Sequence, residues 1–361
     1  MTFEEARATF PVLERYAYLN AGSVGPMARR TYDAVVEAER EELGPRGGPE
    51  AFARILELRE ALRGVIGAQI GVEAERVSLT TSTSEACRVV VAGLDLAPED
   101  EIVTTDAEHF GLLGPAHASG GRVRVADVRD RPAVEALDAI LAETGPRTRL
   151  VAVSHVLWLN GHVIPLDELK DAVAAPLLVD GAQSVGTIPV DAEPFDFYTV
   201  SGQKWLCGPS PTGGLYVRDP ERLRVAGPSY FSQRSYEPDG SFEPREGARR
   251  FDQSWVPAAF IAGLEAAVSD LPDWRFERAR EITDRCREQL LEAGYDVVTE
   301  PGQGTLVSWR WDGDPVEAVK RLAAEGVIIR DLPRTGLLRA SCGYWTSDED
   351  IDRLVAALSG L

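Results

Sequence analysis

No apolar run in the 361 residues approaches the roughly 20 that a membrane-spanning helix requires, so the sequence predicts a soluble chain with no membrane partner. Cysteine is equally scarce. The four present, Cys87, Cys207, Cys286 and Cys342, are scattered without metal-ligand spacing. Neither a zinc site nor a disulfide framework is indicated, and a reducing cytoplasm is the predicted setting. The first residues, MTFEEARATFPVLERY, are acidic and amphipathic, unlike a secretory signal. Positive charge is in deficit too. A net charge of -20 repels phosphate backbones and argues against nucleic acid as a partner. The apolar and charged fractions are ordinary, and the length suffices for two buried cores.

The sharpest shortage is lysine. There are only three, Lys170, Lys204 and Lys320, and arginine supplies the other positive charge. Lys170 and Lys320 sit in charged, helix-like surroundings and read as solvated. Lys204 instead follows the apolar run 197–200 and the residues Ser201, Gly202 and Gln203. An earlier apolar run, 176–179, ends on Asp180, with Gln183 and Ser184 just beyond. Short apolar runs bounded by Gly and Asp predict strands buried on both faces, the kind found in parallel sheets. Polar groups at the C-terminal ends of such strands line the crevice where open α/β sheets bind ligands. One carboxylate and one amine therefore reach the same rim from separate strands. A partly desolvated ammonium has a lowered pKa and a nucleophilic amine, which a Schiff-base lysine needs. On position alone, a structural lysine paired with an acid fits equally well.

The rest of the chain alternates between helical and strand-like patterns. Helices are predicted from about residue 28, over 49–66 and over 133–143; strands over 77–80, 101–105, 122–128 and 149–154. Such alternation predicts right-handed βαβ units in a mixed, mostly parallel sheet. Ser82 and Thr83 stand where a strand gives way to a helix, and that junction is an anion site, a plain cap with Glu85, or both. His109 follows the next strand; a lone histidine is either a ring-stacking group or a surface residue. Residues 228–247, rich in Ser, Tyr, Pro and Gly, predict a long loop of low order. After a helix over 255–270 comes a smaller α+β unit. Its predicted elements are a helix over 273–293, strands over 295–299 and 305–311, a helix over 315–325, strands over 327–330 and 337–341, and a last helix from about 348.

These stretches resemble the active-site signature of class V aminotransferases. The resemblance rests on Asp180-Gly-Ala-Gln183, Ser201-Gly-Gln-Lys204, the Gly-rich turn at 18–26, the hydroxyl cluster at 81–85, Glu108-His109, Ser154-His155-Val156, and Arg339-Ala-Ser341 followed by the acidic run 348–352. It implies an α/β fold of the type I pyridoxal 5'-phosphate kind: a large domain over 18–258 with a mostly parallel sheet, and a small α+β domain of 1–17 and 259–361. It implies that Lys204 carries the cofactor and that Asp180 pairs with the pyridine nitrogen. A carboxylate there keeps the ring protonated, so that it accepts electrons from a carbanion at the substrate Cα. Gln183 is expected at the ring hydroxyl and His109 stacked on the ring. Thr83, Ser82 and Ser201 are expected around the phosphate, and Gln203 among the cofactor contacts. Arg339 is expected to grip the α-carboxylate of an amino-acid substrate as a fork. Where desulfurases carry an asparagine this chain has Trp158, and Asn160 is the substitute candidate. The resemblance implies a homodimer in which the region of the 228–247 loop, with the residues 248–252 that end it, reaches the partner's phosphate; here Ser254-Trp255 replaces the expected Gly-Thr.

The reaction is read from what the signature lacks. Persulfide-forming desulfurases need a cysteine on a mobile loop just before the Arg339 strand, and residues 327–336 contain none. Loss of a β-substituent, a C–S or C–Se lyase reaction, is the favoured expectation, with transamination and epimerization as alternatives. A scaffold retained only for binding is disfavoured, since Lys204 and Asp180 are both present.

Overall fold

The computed structural model describes residues 1–253 and 255–361. Helix α1 (Phe3–Ala8) and strand β1 (Ala17–Tyr18) precede the long helices α2 (Arg29–Glu41) and α3 (Pro49–Ile70). Alternating elements follow: β2 (Val77–Thr80), α4 (Thr83–Gly93), β3 (Glu101–Thr105), α5 (Phe110–His117), β4 (Arg122–Ala126), α6 (Ala136–Glu143), β5 (Thr148–Ser154), α7 (Leu166–Ala172), β6 (Leu177–Asp180), β7 (Phe197–Ser201) and β8 (Gly213–Val217). The hairpin β9 (Gln233–Tyr236) and β10 (Phe242–Pro244) and helix α8 (Ala258–Val268) complete this half. The remainder is α9 (Arg275–Glu292), β11 (Leu306–Arg310), α10 (Pro315–Ala324), β12 (Val327–Ile328), β13 (Arg330–Leu332), β14 (Leu337–Ser341) and α11 (Asp348–Ser359).

Seven strands form one sheet in the order β2-β8-β7-β6-β5-β3-β4, and only β8 runs against its neighbours. The pleat sends alternate residues to opposite faces. Val151, Val153, Leu177 and Val179 join one core with Leu62 and Ile66 of α3, while Leu150, Ala152 and Leu178 join another with Val90 of α4 and Leu112 of α5. Coverage on both faces is why these strands read as unbroken apolar runs. The parallel strands β3, β5, β6 and β7 all end at one rim, so Thr105, Ser154, Asp180 and Ser201 stand along it.

A second core belongs to the smaller unit, where Val307, Trp309, Leu338 and Ala340 pack on Ile282 and Leu290 of α9 and Ile351 and Leu354 of α11. Two segments lie off the expected division of the chain. Helix α8, beyond residue 258, buries Ile261 and Leu264 in the large sheet's core. Residues 17–19 buttress the small core, with β1 parallel to β12 and Leu19 buried beside Val327. The chain then crosses between the two units through residues 20–26.

Three local expectations are corrected. The 228–247 stretch contains the hairpin β9–β10, closed by a turn in which Glu237 N donates to Ser241 O at 2.8 Å and Gly240 takes φ 88. Residues 295–299 make only one bridge, Val297 to Trp309, rather than a full strand. The expected strand over 327–330 is two short ones, β12 pairing with β1 and β13 with β14.

Candidate active site

Lys204 lies in the turn that leaves β7. Gly202 N donates to Thr212 O and Gly208 N to Gly202 O, both at 2.9 Å, so the turn is pinned to the return strand. From the other side Gly25 N donates to Gln203 O at 2.8 Å, and a Cβ on Gly25 would fall 2.0 Å from Lys204 O. Only glycine allows that approach. Lys170 pairs with Asp196 at 2.5 Å and Lys320 with Glu317 at 3.8 Å, whereas the Lys204 ammonium has no ion pair or hydrogen bond among the described residues. The crowding of protein around its ammonium pushes its pKa down to about 8; Asp180 opposes this, and Arg339 and Arg330 reinforce it.

Asp180 faces the lysine from the end of β6 and is buried. Its Oδ1 accepts from Ala182 N at 2.9 Å and from the Thr199 hydroxyl at 3.2 Å. Its second oxygen takes no hydrogen bond among the described residues. Gln183, one turn on, ties the mouth together: Nε2 donates to Gly22 O at 2.9 Å, and Oε1 accepts from the Trp205 indole at 2.9 Å. Behind them, His155 Nδ1 meets the Tyr198 hydroxyl at 2.8 Å and Tyr198 meets Ser184 at 2.6 Å. Burial pushes the His155 pKa down to about 4, so the ring is neutral.

An anion cradle lies beside this pair. Register puts Thr80 of β2 and Ser201 of β7 on either side of Gly213. From Thr80 the chain turns into α4, whose cap is Ser82: its Oγ accepts from Glu85 N at 3.2 Å, and its O from Ala86 N at 3.1 Å. The amides of Thr83 and Ser84 have no acceptor among the described residues, and such groups at a helix start favour an anion. Across the strand end, Ser201 Oγ donates to Gln203 Oε1 at 2.9 Å.

His109 caps α5, its Nδ1 accepting from Gly111 N at 3.1 Å, so the proton of the neutral ring sits on Nε2. Its ring meets Trp158 edge-on at 5.3 Å. Burial lowers its pKa and the nearby Lys204 adds to that, while Asp180 opposes. Its neighbour Glu108 figures in the sequence motifs only as part of the Glu-His pair and is given no role there. That buried carboxyl accepts from Thr105 Oγ1 at 2.9 Å and from Ser154 N and Oγ, binding the ends of β3 and β5. Burial raises its pKa to about 7 against the pull of those donors. Asn160 is not drawn into the group: Nδ2 donates to Arg129 O at 3.3 Å and Oδ1 accepts from His162 N at 3.1 Å.

Arg339 is fully buried on β14. Among the described residues its one side-chain bond runs from Nη1 to Trp158 O at 2.8 Å, and Nε, Nη2 and the neighbouring Ser341 hydroxyl have no partner. Burial pushes its pKa down to about 9, with Arg330 adding. Arg330 is the second residue missed. It stands directly opposite Arg339 in the β13–β14 ladder, donates to Ser23 Oγ at 3.0 Å, and has no acid partner among the described residues. All four cysteines are buried free thiols, and β13 joins β14 through the tight turn 333–336, with Arg334 at φ 64. Of the Ser254-Trp255 pair, Ser254 lies outside the described residues. Trp255 is half exposed and lines a groove of about 890 Å³ between α2, α3 and α8.

The arrangement fits pyridoxal phosphate chemically. An unpaired amine, a carboxylate with one free oxygen, an uncommitted helix start and a flat imidazole are what its aldehyde, ring nitrogen, phosphate and ring face require. Arg339 is left with orphaned buried donors, the condition a substrate carboxylate relieves.

Comparison with known proteins places the arrangement. An isopenicillin N epimerase of Streptomyces clavuligerus is 28% identical, over 99% of this chain and 98% of its own. A cysteine desulfurase of Haloferax volcanii is 30% identical over 98% of this chain and 95% of its own. Among solved structures, the cystine C–S lyase C-DES in complex with its reaction product cysteine persulfide superposes with a TM-score of 0.89, at 27% identity over 97% of this chain and 99% of that one. A variant of the same lyase, with glycine covalently linked to its pyridoxal phosphate cofactor, gives 0.89 at 26% identity over 98% of each chain. No helix among the described residues is long and apolar enough to cross a membrane. The family model described as aminotransferase class V matches residues 30–354, and the chain belongs to that family of pyridoxal phosphate enzymes.

Proposed function

We propose that this chain is a β-lyase that cleaves the C–S, or C–Se, bond of an α-amino acid bearing a second acidic group, consuming water and yielding pyruvate, ammonia and a thiol or persulfide, or a selenol from the selenium substrate. The observation that carries it is the pair of cross-strand arginines, Arg339 with orphaned buried donors and Arg330 without an acid, facing an unpaired lysine. Pyridoxal phosphate, when bound, supplies a sink for the electron pair left at Cα once its proton is gone. Lys204 would hold the cofactor, Asp180 the ring proton, Ser82, Thr83, Ser201 and Gln203 the phosphate, and His109 the ring face. Gln183, already bound to Gly22 and Trp205, would use its remaining Nε2 hydrogen for the ring hydroxyl.

Each protein group then has a task. Arg339 takes the α-carboxylate in a fork, which fixes Cα beside the lysine. Lys204, with a pKa near 8, takes the Cα proton as base. Arg330 reaches the distal acid of the departing half. The absence of any cysteine from the 333–336 turn, with the four thiols buried, argues against a persulfide-carrying desulfurase. Epimerization is the second reading, favoured by relatives bearing that name across nearly the full chain. We also propose a homodimer in a reducing cytoplasm. Incubation with cystine and acidic thioethers, with pyruvate and ammonia assayed, tests the reading. Equimolar pyruvate and ammonia support it, whereas Cα deuterium uptake with loss of optical rotation and no pyruvate would favour the epimerase.

A further inference from the structure

Outside the group around Lys204, four arginines converge on one point. Arg59 and Arg63 lie a turn apart on α3, and Arg245 and Arg249 follow β10; with Glu60, Asp252 and Phe231 they line a cavity of about 10 Å³. The two carboxylates are fully engaged. Asp252, 1% exposed, accepts from both terminal nitrogens of Arg63, from Arg59 Nη2 at 2.8 Å, from Leu79 N at 3.0 Å and from Ser78 Oγ at 3.3 Å. Glu60 accepts from Arg63 Nε at 3.1 Å and from Arg249 at 3.2 and 2.6 Å. Four positive charges thus meet two negative ones. The excess is not diffuse. Arg59 is 2% exposed and stacked at 4.0 Å over the Phe231 ring, yet among the described residues its Nη1 has no partner, and neither does the buried Nε of Arg245. Burial lowers the Arg59 pKa; Asp252 opposes this, and Arg63 and Arg245 add to it as unfavourable neighbours.

Desolvated charge with orphaned donors is costly, and a chain of net charge -20 has no general reason to concentrate arginine here. A water molecule would satisfy the donors and leave the charge. We propose that the cavity holds one small monovalent anion, chloride, coordinated by Arg59 and Arg245. So small a space favours a halide over phosphate, sulfate or a carboxylate metabolite. The ion would tie α3 to the 245–252 segment. Through Asp252, which bonds Leu79 N, that segment is fastened to β2, the strand leading to Ser82. The site is independent of the reaction proposed above.

Holoenzyme crystals grown without halide and soaked in sodium bromide test it directly. An anomalous peak touching Arg59 Nη1 and Arg245 Nε upholds the proposal. No peak overturns it, as does a water or a second subunit's carboxylate in that position. In solution, replacing sodium gluconate by sodium chloride at constant ionic strength should raise the holoenzyme's unfolding midpoint saturably by roughly 2–4 °C. Arg245→Gln leaves every Asp252 bond in place and should abolish most of that rise. Equal midpoints in the two salts would overturn the assignment.

Discussion

Replacing Lys204 by Met in cofactor-free protein should make the fold more stable. The ammonium is surrounded by protein, has no partner among the described residues, and stands near two arginines, which together move its pKa from 10.5 to about 8. At about 1.4 kcal/mol per decade, that depression is worth about 3 kcal/mol, and residual solvent access reduces it to about 2 kcal/mol. The sign follows from proton binding. Between pH 8 and 10.5 the unfolded chain holds the proton and the folded chain does not, so wild-type stability rises with pH there. The Lys204→Met advantage should therefore be full below pH 8 and close towards pH 10.5. Denaturant titration of both apoproteins, or a midpoint difference of roughly 2–4 °C by calorimetry at pH 7, measures it. A variant no more stable than wild type at pH 7, or a gap constant with pH, would refute the idea that this amine is held at a cost.

Arg330→Gln should raise KM at least tenfold for cystine or other diacids, and by only a few-fold for S-alkyl cysteines with one carboxylate, measured as pyruvate release. Arg339→Lys keeps the charge but loses the fork, and should lower kcat/KM by about 10²-fold or more for every substrate in the same assay. Loading of apoprotein with pyridoxal phosphate, followed by absorbance, should accelerate with pH through about 8, because only neutral Lys204 attacks the aldehyde; an inflection near 10 would contradict the depressed pKa. Gly25→Ala forces a methyl against Lys204 O and should weaken cofactor retention on dialysis, with the large core still folded by circular dichroism.

The legible parts of the chain are those where a buried strand stops on a polar residue. Asp180 and Lys204 stood out because apolar runs end abruptly beside them, a signal both local and physical. Arg330 gave no such signal, since a charged residue in a short edge strand reads as solvated. Only the ladder register shows it beside Arg339. Asn160 illustrates the reverse error, as nearness in sequence to Trp158 suggested the site while its amide closes onto Arg129 and His162. The β9–β10 hairpin was hidden by polar strands, although Asp239-Gly240 is a turn signal between them. The domain assignment of α8 depends on which core its apolar face finds, and periodicity alone does not encode that choice.

The electrostatics of the site give these observations one cause. A chain with 20 more negative than positive charges could supply a carboxylate to almost any surface arginine, and most of its arginines have one. At the rim, Lys204, Arg339 and Arg330 stand together with Asp180 as the nearby acid; burial lowers the pKa of Lys204 and of Arg339, Arg339 and Arg330 add to the effect at Lys204, and Arg330 adds to it at Arg339. Such an arrangement is unfavourable in the empty protein and becomes favourable only when anions arrive. A phosphate at the start of α4, an α-carboxylate at Arg339 and a second acid at Arg330 would supply them. Adding cofactor and a diacid inhibitor to wild type should therefore raise its midpoint by less than the sum of the two alone, because each anion neutralises positive charge that would otherwise attract the other. Strict additivity in that calorimetric comparison would mean that the cations do not communicate.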